Sequence, residues 1–259
     1  MMAGIPRFIK KSVPNLFTMF NLLSGCIAIL FSFYDIALAG MMIFLAGVFD
    51  FADGLAARIF DAYSDFGKEL DSLADMVSFG VAPSFILFHL LQNSLIIGNP
   101  FFALDQLTVS ELLILFSSFL PAIFASLRLA RFNLKSSGDS FIGLPSPAAG
   151  LFFASAGYIS LTSGIMWVQQ ALISTTFLMI MNICLSALMV IPVPMFNIKF
   201  KNFSLADNKV RFIFAIPSIL LVIILGLQSI PAIILYYIVL SLLLFITSKS
   251  APGRKINNY

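Results

Sequence analysis

The chain has 259 residues, of which 60% are hydrophobic and only 10% charged, with a mean hydropathy of +1.02. So few charges cannot cover a water-soluble fold of this length, which excludes an ordinary soluble domain and makes lipid the solvent for much of the surface. One His and two Cys exclude a typical zinc cluster.

The apolar runs are long and rich in Leu, Ile, Phe and Ala, a pattern of helices rather than of barrel strands. Hydropathy places eight candidate spans at roughly 14–34, 36–60, 67–92, 110–132, 146–164, 167–191, 210–227 and 229–248. The expected fold is an all-α integral membrane protein: a polytopic bundle of about eight transmembrane helices, in one membrane domain over 1–259. The short basic amino terminus is followed by no small-residue cleavage site, so no cleavable signal peptide is expected. Cys26 and Cys184 fall inside apolar runs and read as small buried hydrophobes. His89, on the apolar tail of the third span, reads as structural.

Charge placement orients the spans. Arg7, Lys10 and Lys11 precede the first; Arg58 and Lys68 flank the loop between the second and third; Arg128, Arg131 and Lys135 follow the fourth. Lys199, Lys201, Lys209 and Arg211 lie between the sixth and seventh, and Lys249, Arg254 and Lys255 follow the eighth. With eight spans all 15 basic residues fall on one side, and the opposite loops carry Asp35, Asp105 and Glu111. The positive-inside rule then puts both termini in the cytoplasm of a multi-pass protein of the cell membrane. The stretch around 95–109 is expected outside, and the basic stretch NIKFKNFSLADNKVRF is expected to lie along the inner membrane surface.

Against this apolar background stands DFADGLAARIFDAYSDFGKELDSLAD, Asp50 to Asp75. Asp50, Asp53, Gly54 and Ala57 recur at i, i+3, i+4 and i+7 and share one helix face. Gly67, Asp71 and Asp75 recur at i, i+4 and i+8 and share a face of the next helix. The loop between is short, so the two helices are antiparallel neighbours with their carboxylates facing each other. Four carboxylates brought together repel unless protons or cations intervene. Hard oxygen ligands at this density suit Mg²⁺, Mn²⁺ or Ca²⁺, and a pair of such ions is typical of phosphoryl chemistry. Gly54, Ala57 and Gly67 leave room for a bulky ligand, and Arg58 can pair with phosphate oxygens. Metals, small residues and an Arg point to a pyrophosphate-bearing substrate. Asp61 and Asp65, in the loop, read as capping and surface carboxylates.

The complete pattern D-x2-D-G-x2-A-R-x8-G-x3-D-x3-D, with Asp50, Asp53, Gly54, Ala57, Arg58, Gly67, Asp71 and Asp75 in its fixed positions, resembles the signature of the CDP-alcohol phosphotransferases. The resemblance implies that Asp50, Asp53 and Asp71 hold metal ions, and that Asp75 helps bind metal and deprotonates the acceptor alcohol. It implies a CDP pocket lined by Gly54, Ala57, Arg58 and Gly67, attack of an alcohol on the β-phosphorus of a CDP-linked lipid, release of CMP, and a homodimer.

PNLFTMFNLLSG, LDSLADMVSFGVAPS, LRLARFN and FIGLPSPAAG further resemble the membrane-embedded bacterial and archaeal phosphatidylserine synthases over roughly 13–150, the expected catalytic core. The partners this implies are CDP-diacylglycerol, L-serine and membrane lipids; no nucleic acid is expected. Free serine carries a carboxylate, so its site needs a fixed cation, and Arg128 and Arg131, at i and i+3, offer guanidinium forks. Asn133, Ser78 and Ser146 are candidate polar neighbours of the serine. Asn15 and Thr18, also i and i+3, are candidates to touch the cytidine, with a helix cap as the alternative. Two other readings stay open: a related transferase using glycerol 3-phosphate or inositol phosphate, and a cation-coupled transporter. The transporter would place its acids near the bilayer midplane on broken helices.

Overall fold

A computed structural model describes residues 7–95, 107–134, 143–164, 166–196 and 208–249. Lys135, Asp105, Lys199, Lys201, Arg254, Lys255 and most of the NIKFKNFSLADNKVRF stretch lie outside the described residues. The described chain is helical: α1 Arg7–Ser32, α2 Ile36–Ile59, α3 Asp65–Leu95, α4 Val109–Leu134, α5 Ser146–Thr162, α6 Met166–Ile173, α7 Thr175–Val190, α8 Lys209–Leu225 and α9 Ile230–Lys249.

Among the described residues, five helical stretches are long and apolar enough to cross a membrane: Ser12–Ser32, Ile36–Ile59, Asp65–Leu95, Val109–Leu134 and Lys209–Thr247. The last of these folds back on itself. In one straight helix, residues 23 apart would stand roughly 34 Å from each other. Yet the Tyr236 hydroxyl donates to the Ile213 carbonyl at 2.9 Å, and the Phe214 and Tyr237 rings lie 5.7 Å apart. The reversal falls at the 3₁₀ turn Gly226–Ser229, where Gly226 takes φ +56°, a value that favours glycine. The protein is thus an all-α, multi-pass membrane protein.

The helices meet around α5. Eleven of its 17 residues are buried, and its apolar and small residues are spread around the whole circumference. Small residues let the neighbouring backbones come close, the mode of packing that works in lipid. A Cβ on Gly150 would stand 2.8 Å from Phe79 Cα and 2.9 Å from Phe79 O, and Gly40 of α2 packs on the Ala154 carbonyl. Cross-links match the helix ends. Leu144 N donates to Leu188 O at 2.8 Å, joining the start of α5 to the end of α7, and the Thr175 hydroxyl donates to Ser94 Oγ at 2.8 Å, joining the start of α7 to the end of α3.

Several expectations need correction. α1 starts at Arg7, well before the apolar stretch, because its polar first turns continue the same helix. The expected span over 167–191 is broken at Ser174, which adopts φ −69° and ψ 123° between α6 and α7. The Ser-Thr-Thr run there offers hydroxyls and β-branches that weaken helix propagation. α3 does not run as a plain α-helix: Met76–Val81 is a π-helical turn directly after Asp75. Cys26 and Cys184 are free and exposed rather than buried, because lipid-facing and core-facing positions are equally apolar in sequence.

Candidate active site and metal centre

The turn between α2 and α3 sets the site. Asp61 N donates to Arg58 O at 3.3 Å, Ala62 N donates to Ala57 O at 2.9 Å, and Asp61 takes φ +48°. This is a Schellman ending, with Asp in the left-handed position that Gly usually fills. Ser64 then caps α3, its hydroxyl accepting from Gly67 N at 3.0 Å. Two tight endings bring the helices back antiparallel within five residues of loop, so their acidic faces are apposed.

Among the described residues, Asp50, Asp53 and Asp71 each present a carboxylate oxygen within 4.8 Å of the others. At that spacing two ionised carboxylates repel by roughly 3–4 kcal/mol per pair at an effective dielectric of about 20. Neutral donors hold part of the cluster. The Thr18 hydroxyl donates to Asp53 Oδ2 at 2.8 Å, and Asn21 Nδ2 donates to Asp75 Oδ1 at 3.2 Å. Asp53 and Asp75 are buried, and Asp75 lies in the electrostatic field of the other three carboxylates. Asp71 Oδ1 is buried with no hydrogen-bond partner among the described residues. An acceptor-only, all-oxygen cluster with an orphaned buried oxygen fits a hard divalent cation and not zinc. Ser78, buried one turn past Asp75 in the π turn, donates to the Asn21 carbonyl at 2.9 Å and so fixes the residue that holds Asp75.

A cavity of about 760 Å³ opens beside the cluster, inside the range of roughly 300–1,000 Å³ usual for small-molecule sites. Pro14, Asn15, Thr18, Asp53, Gly54, Ala57, Gly67 and Asp71 line it, with Ala62, Tyr63, Ser64, Asp65, Phe66 and Lys68 from the turn and the start of α3. Asn15 and Thr18 lie two and three turns inside α1, so neither is a helix cap. Gly54 faces open space: a Cβ there would meet only Arg58 Nη2, at 4.0 Å. Arg58 itself is exposed and stands beside the cavity rather than in its wall.

The two arginines of α4 separate. Arg128 points inward: its Nη1 donates to the buried Ser146 hydroxyl at 3.0 Å, its Nε is buried without a partner among the described residues, and Asp75 lies within its electrostatic reach. Arg131 is exposed, and its Nη1 donates to Val190 O at 3.2 Å, capping the end of α7. Asn133 ties α4 to the flank of α3, donating to Ser72 Oγ at 3.0 Å and to Glu69 Oε2 at 3.1 Å, while its carbonyl accepts from Lys68 Nζ at 3.1 Å. The structure therefore brings Arg128 and Ser146 towards the carboxylates and leaves Arg131 and Asn133 on helix–helix contacts. Sequence reasoning passed over Asn21. The signal was there, since Asn15, Thr18 and Asn21 recur at threes in an apolar helix, where polar side chains need a reason.

The profile described as CDP-alcohol phosphatidyltransferase matches residues 11–177, more than half of the chain. This chain belongs to that family. A CDP-diacylglycerol–serine O-phosphatidyltransferase of Methanocaldococcus jannaschii is 35% identical over 140 residues, covering 54% of this chain and 57% of that protein. One of the same name from Bacillus subtilis is 39% identical over 142 residues, covering 54% of this chain and 71% of its own length. The archaetidylserine synthase of Methanothermobacter thermautotrophicus is 34% identical over 149 residues, covering 56% and 57%. The alignment thus takes in little more than half of two of these three relatives. For a CDP-alcohol phosphatidyltransferase, the cluster of Asp50, Asp53 and Asp71 is the feature that ties the fold to metal-assisted phosphoryl chemistry.

Proposed function

We propose that the chain is a phosphatidylserine synthase, transferring the phosphatidyl group of CDP-diacylglycerol to the hydroxyl of L-serine and releasing CMP. The observation that carries this reading is the acidic cluster opening onto a cavity walled by Gly54, Ala57 and Gly67. Serine as acceptor is supported by the names of the relatives and by Arg128, a half-buried arginine near Asp75 whose buried Nε has no partner among the described residues.

Asp50, Asp53, Asp71 and Asp75 would hold the divalent cations, two Mg²⁺ or Mn²⁺, with Ca²⁺ also compatible with the oxygen set. Bound there, they supply neutralisation of the pyrophosphate and of the CMP leaving group. Thr18 and Asn21 orient Asp53 and Asp75 through their hydrogen bonds. Asn15, Gly54, Ala57, Arg58 and Gly67 receive the CDP moiety, and Arg128 with Ser146 receives the serine carboxylate, with Ser78 fixing the π turn behind it. Asp75 accepts the hydroxyl proton of serine as that oxygen bonds to the β-phosphorus, and the bond from this phosphorus to the CMP oxygen breaks. The attack is direct, with no covalent enzyme intermediate.

The acyl chains stay in lipid between the helices. Eight crossings, cytoplasmic termini, a cytoplasmic mouth for the cavity and a homodimeric working unit complete the proposal. The cytoplasmic orientation is supported by Arg58, Lys68, Arg128 and Arg131, which lie at the cavity end of α2, α3 and α4. CMP release from CDP-diacylglycerol with a panel of alcohols tests the acceptor. L-serine should be preferred over glycerol 3-phosphate and inositol phosphate; equal rates with all three, or preference for a phosphorylated acceptor, would remove serine from the account.

A further inference from the structure

Two kinds of group line the cavity. Asp53 and Asp71 bring charge from the acidic cluster. Tyr63 and Phe66 bring aromatic rings, each 67% exposed. Exposed rings on a cavity wall offer planar faces to whatever the cavity holds. Neither ring is on loose chain: the Schellman ending fixes the backbone just before Tyr63, and the Ser64 cap fixes the first turn that carries Phe66.

A nucleoside diphosphate carries the matching pair of groups, a charged pyrophosphate and a planar aromatic base. We infer that Tyr63 and Phe66 form the platform on which the base of the nucleotide rests, and that they set the affinity for the nucleoside half of the donor. The inference rests on the CDP reading of the cavity given above. Stacking of this kind accepts any base by its π-face, so selection among bases falls to polar neighbours such as Asn15. The competing role for two aromatics near a membrane surface is interfacial anchoring, which needs apolar mass but no planar ring.

The test is calorimetric binding of CMP to the detergent-purified full chain with Mg²⁺ in excess, with ribose 5-phosphate as the base-free probe. Leucine substitution keeps the apolar mass and removes the planar face. The double variant Tyr63→Leu/Phe66→Leu should lose CMP affinity by about five- to hundredfold, with ribose 5-phosphate affinity unchanged. Tyr63→Phe and Phe66→Tyr should bind CMP as the wild type does. If the double leucine variant does not purify, Tyr63→Leu and Phe66→Leu singly decide the matter by the same comparison. CMP affinity kept by the leucine variants would overturn the platform and leave the rings as membrane anchors. Equal losses for CMP and ribose 5-phosphate would overturn it as a general distortion of the site. A wild-type chain that binds no CMP would overturn the CDP reading itself, and the platform with it.

Discussion

Arg128→Ala is the substitution whose effect the geometry specifies most closely. In the folded chain Arg128 Nη1 is engaged by Ser146 at 3.0 Å, while Nε is buried with no partner among the described residues. A serine carboxylate bound there takes charge-assisted hydrogen bonds, and losing such a partner costs roughly 1.5–3 kcal/mol. At about 1.4 kcal/mol per decade, the serine KM should rise about ten- to hundredfold. The KM for CDP-diacylglycerol should move little, since Arg128 is not among the residues lining the cavity. Arg128→Lys keeps the charge but not the fork, and should fall between. Arg131→Ala is the internal control. Its guanidinium is exposed and bonds the Val190 carbonyl, so its loss should cost under about 1 kcal/mol of stability and leave both KM values within about twofold. Steady-state kinetics in mixed micelles, varying each substrate at saturation of the other, read the pattern. A serine KM that moves with Arg131→Ala and not with Arg128→Ala would refute the assignment.

Chelation by EDTA should abolish CMP release, and Mn²⁺ or Mg²⁺ should restore it; full turnover in excess chelator would remove the metal from the account. Asp71→Asn should lower metal-dependent affinity for CDP-diacylglycerol by at least about tenfold, because it takes a charge from a buried cluster built to face a cation; calorimetric titration of the metal and of the lipid nucleotide checks this. Asp75→Asn should separate binding from chemistry, with affinity for CDP-diacylglycerol within about an order of magnitude of wild type and turnover at least about a hundredfold slower. A variant that binds normally and turns over at near the wild-type rate would exclude Asp75 as the base. Gly150→Ala places a methyl 2.8 Å from Phe79 Cα, inside the π turn that follows Asp75. Overpacking of this kind should cost about 1–3 kcal/mol in thermal or denaturant unfolding and reduce turnover with it; an unchanged midpoint would show that the two helices can separate freely.

What the sequence made legible follows from periodicity. Carboxylates at threes and fours have to share a face on any helix, and a short loop has to return the chain beside itself, so the apposition of Asp50 and Asp53 with Asp71 was readable before any coordinates. Polar residues in an apolar helix were equally conspicuous, which is why Thr18 was found and Asn21 should have been. Hydropathy located the helices but not their surroundings. Lipid and protein core are both apolar, so it could not tell that α5 is central or that Cys26 and Cys184 face outward. Local backbone events were also silent. The π turn at Met76–Val81 packs against α1, α4 and α5, and nothing in MVSFGV announces it. The arginines show a third limit. Arg128 and Arg131 are alike in spacing and charge, and their roles divide only because Ser146 stands beside one and the open end of α7 beside the other.

The central claim meets its most direct test in the identity of the products. Purified chain given Mn²⁺, CDP-diacylglycerol and isotopically labelled L-serine should yield phosphatidylserine and CMP in equal amounts by mass spectrometry, with neither formed by Asp50→Asn or Asp71→Asn. CMP formed without labelled lipid, or labelled lipid still formed by both variants, would contradict it.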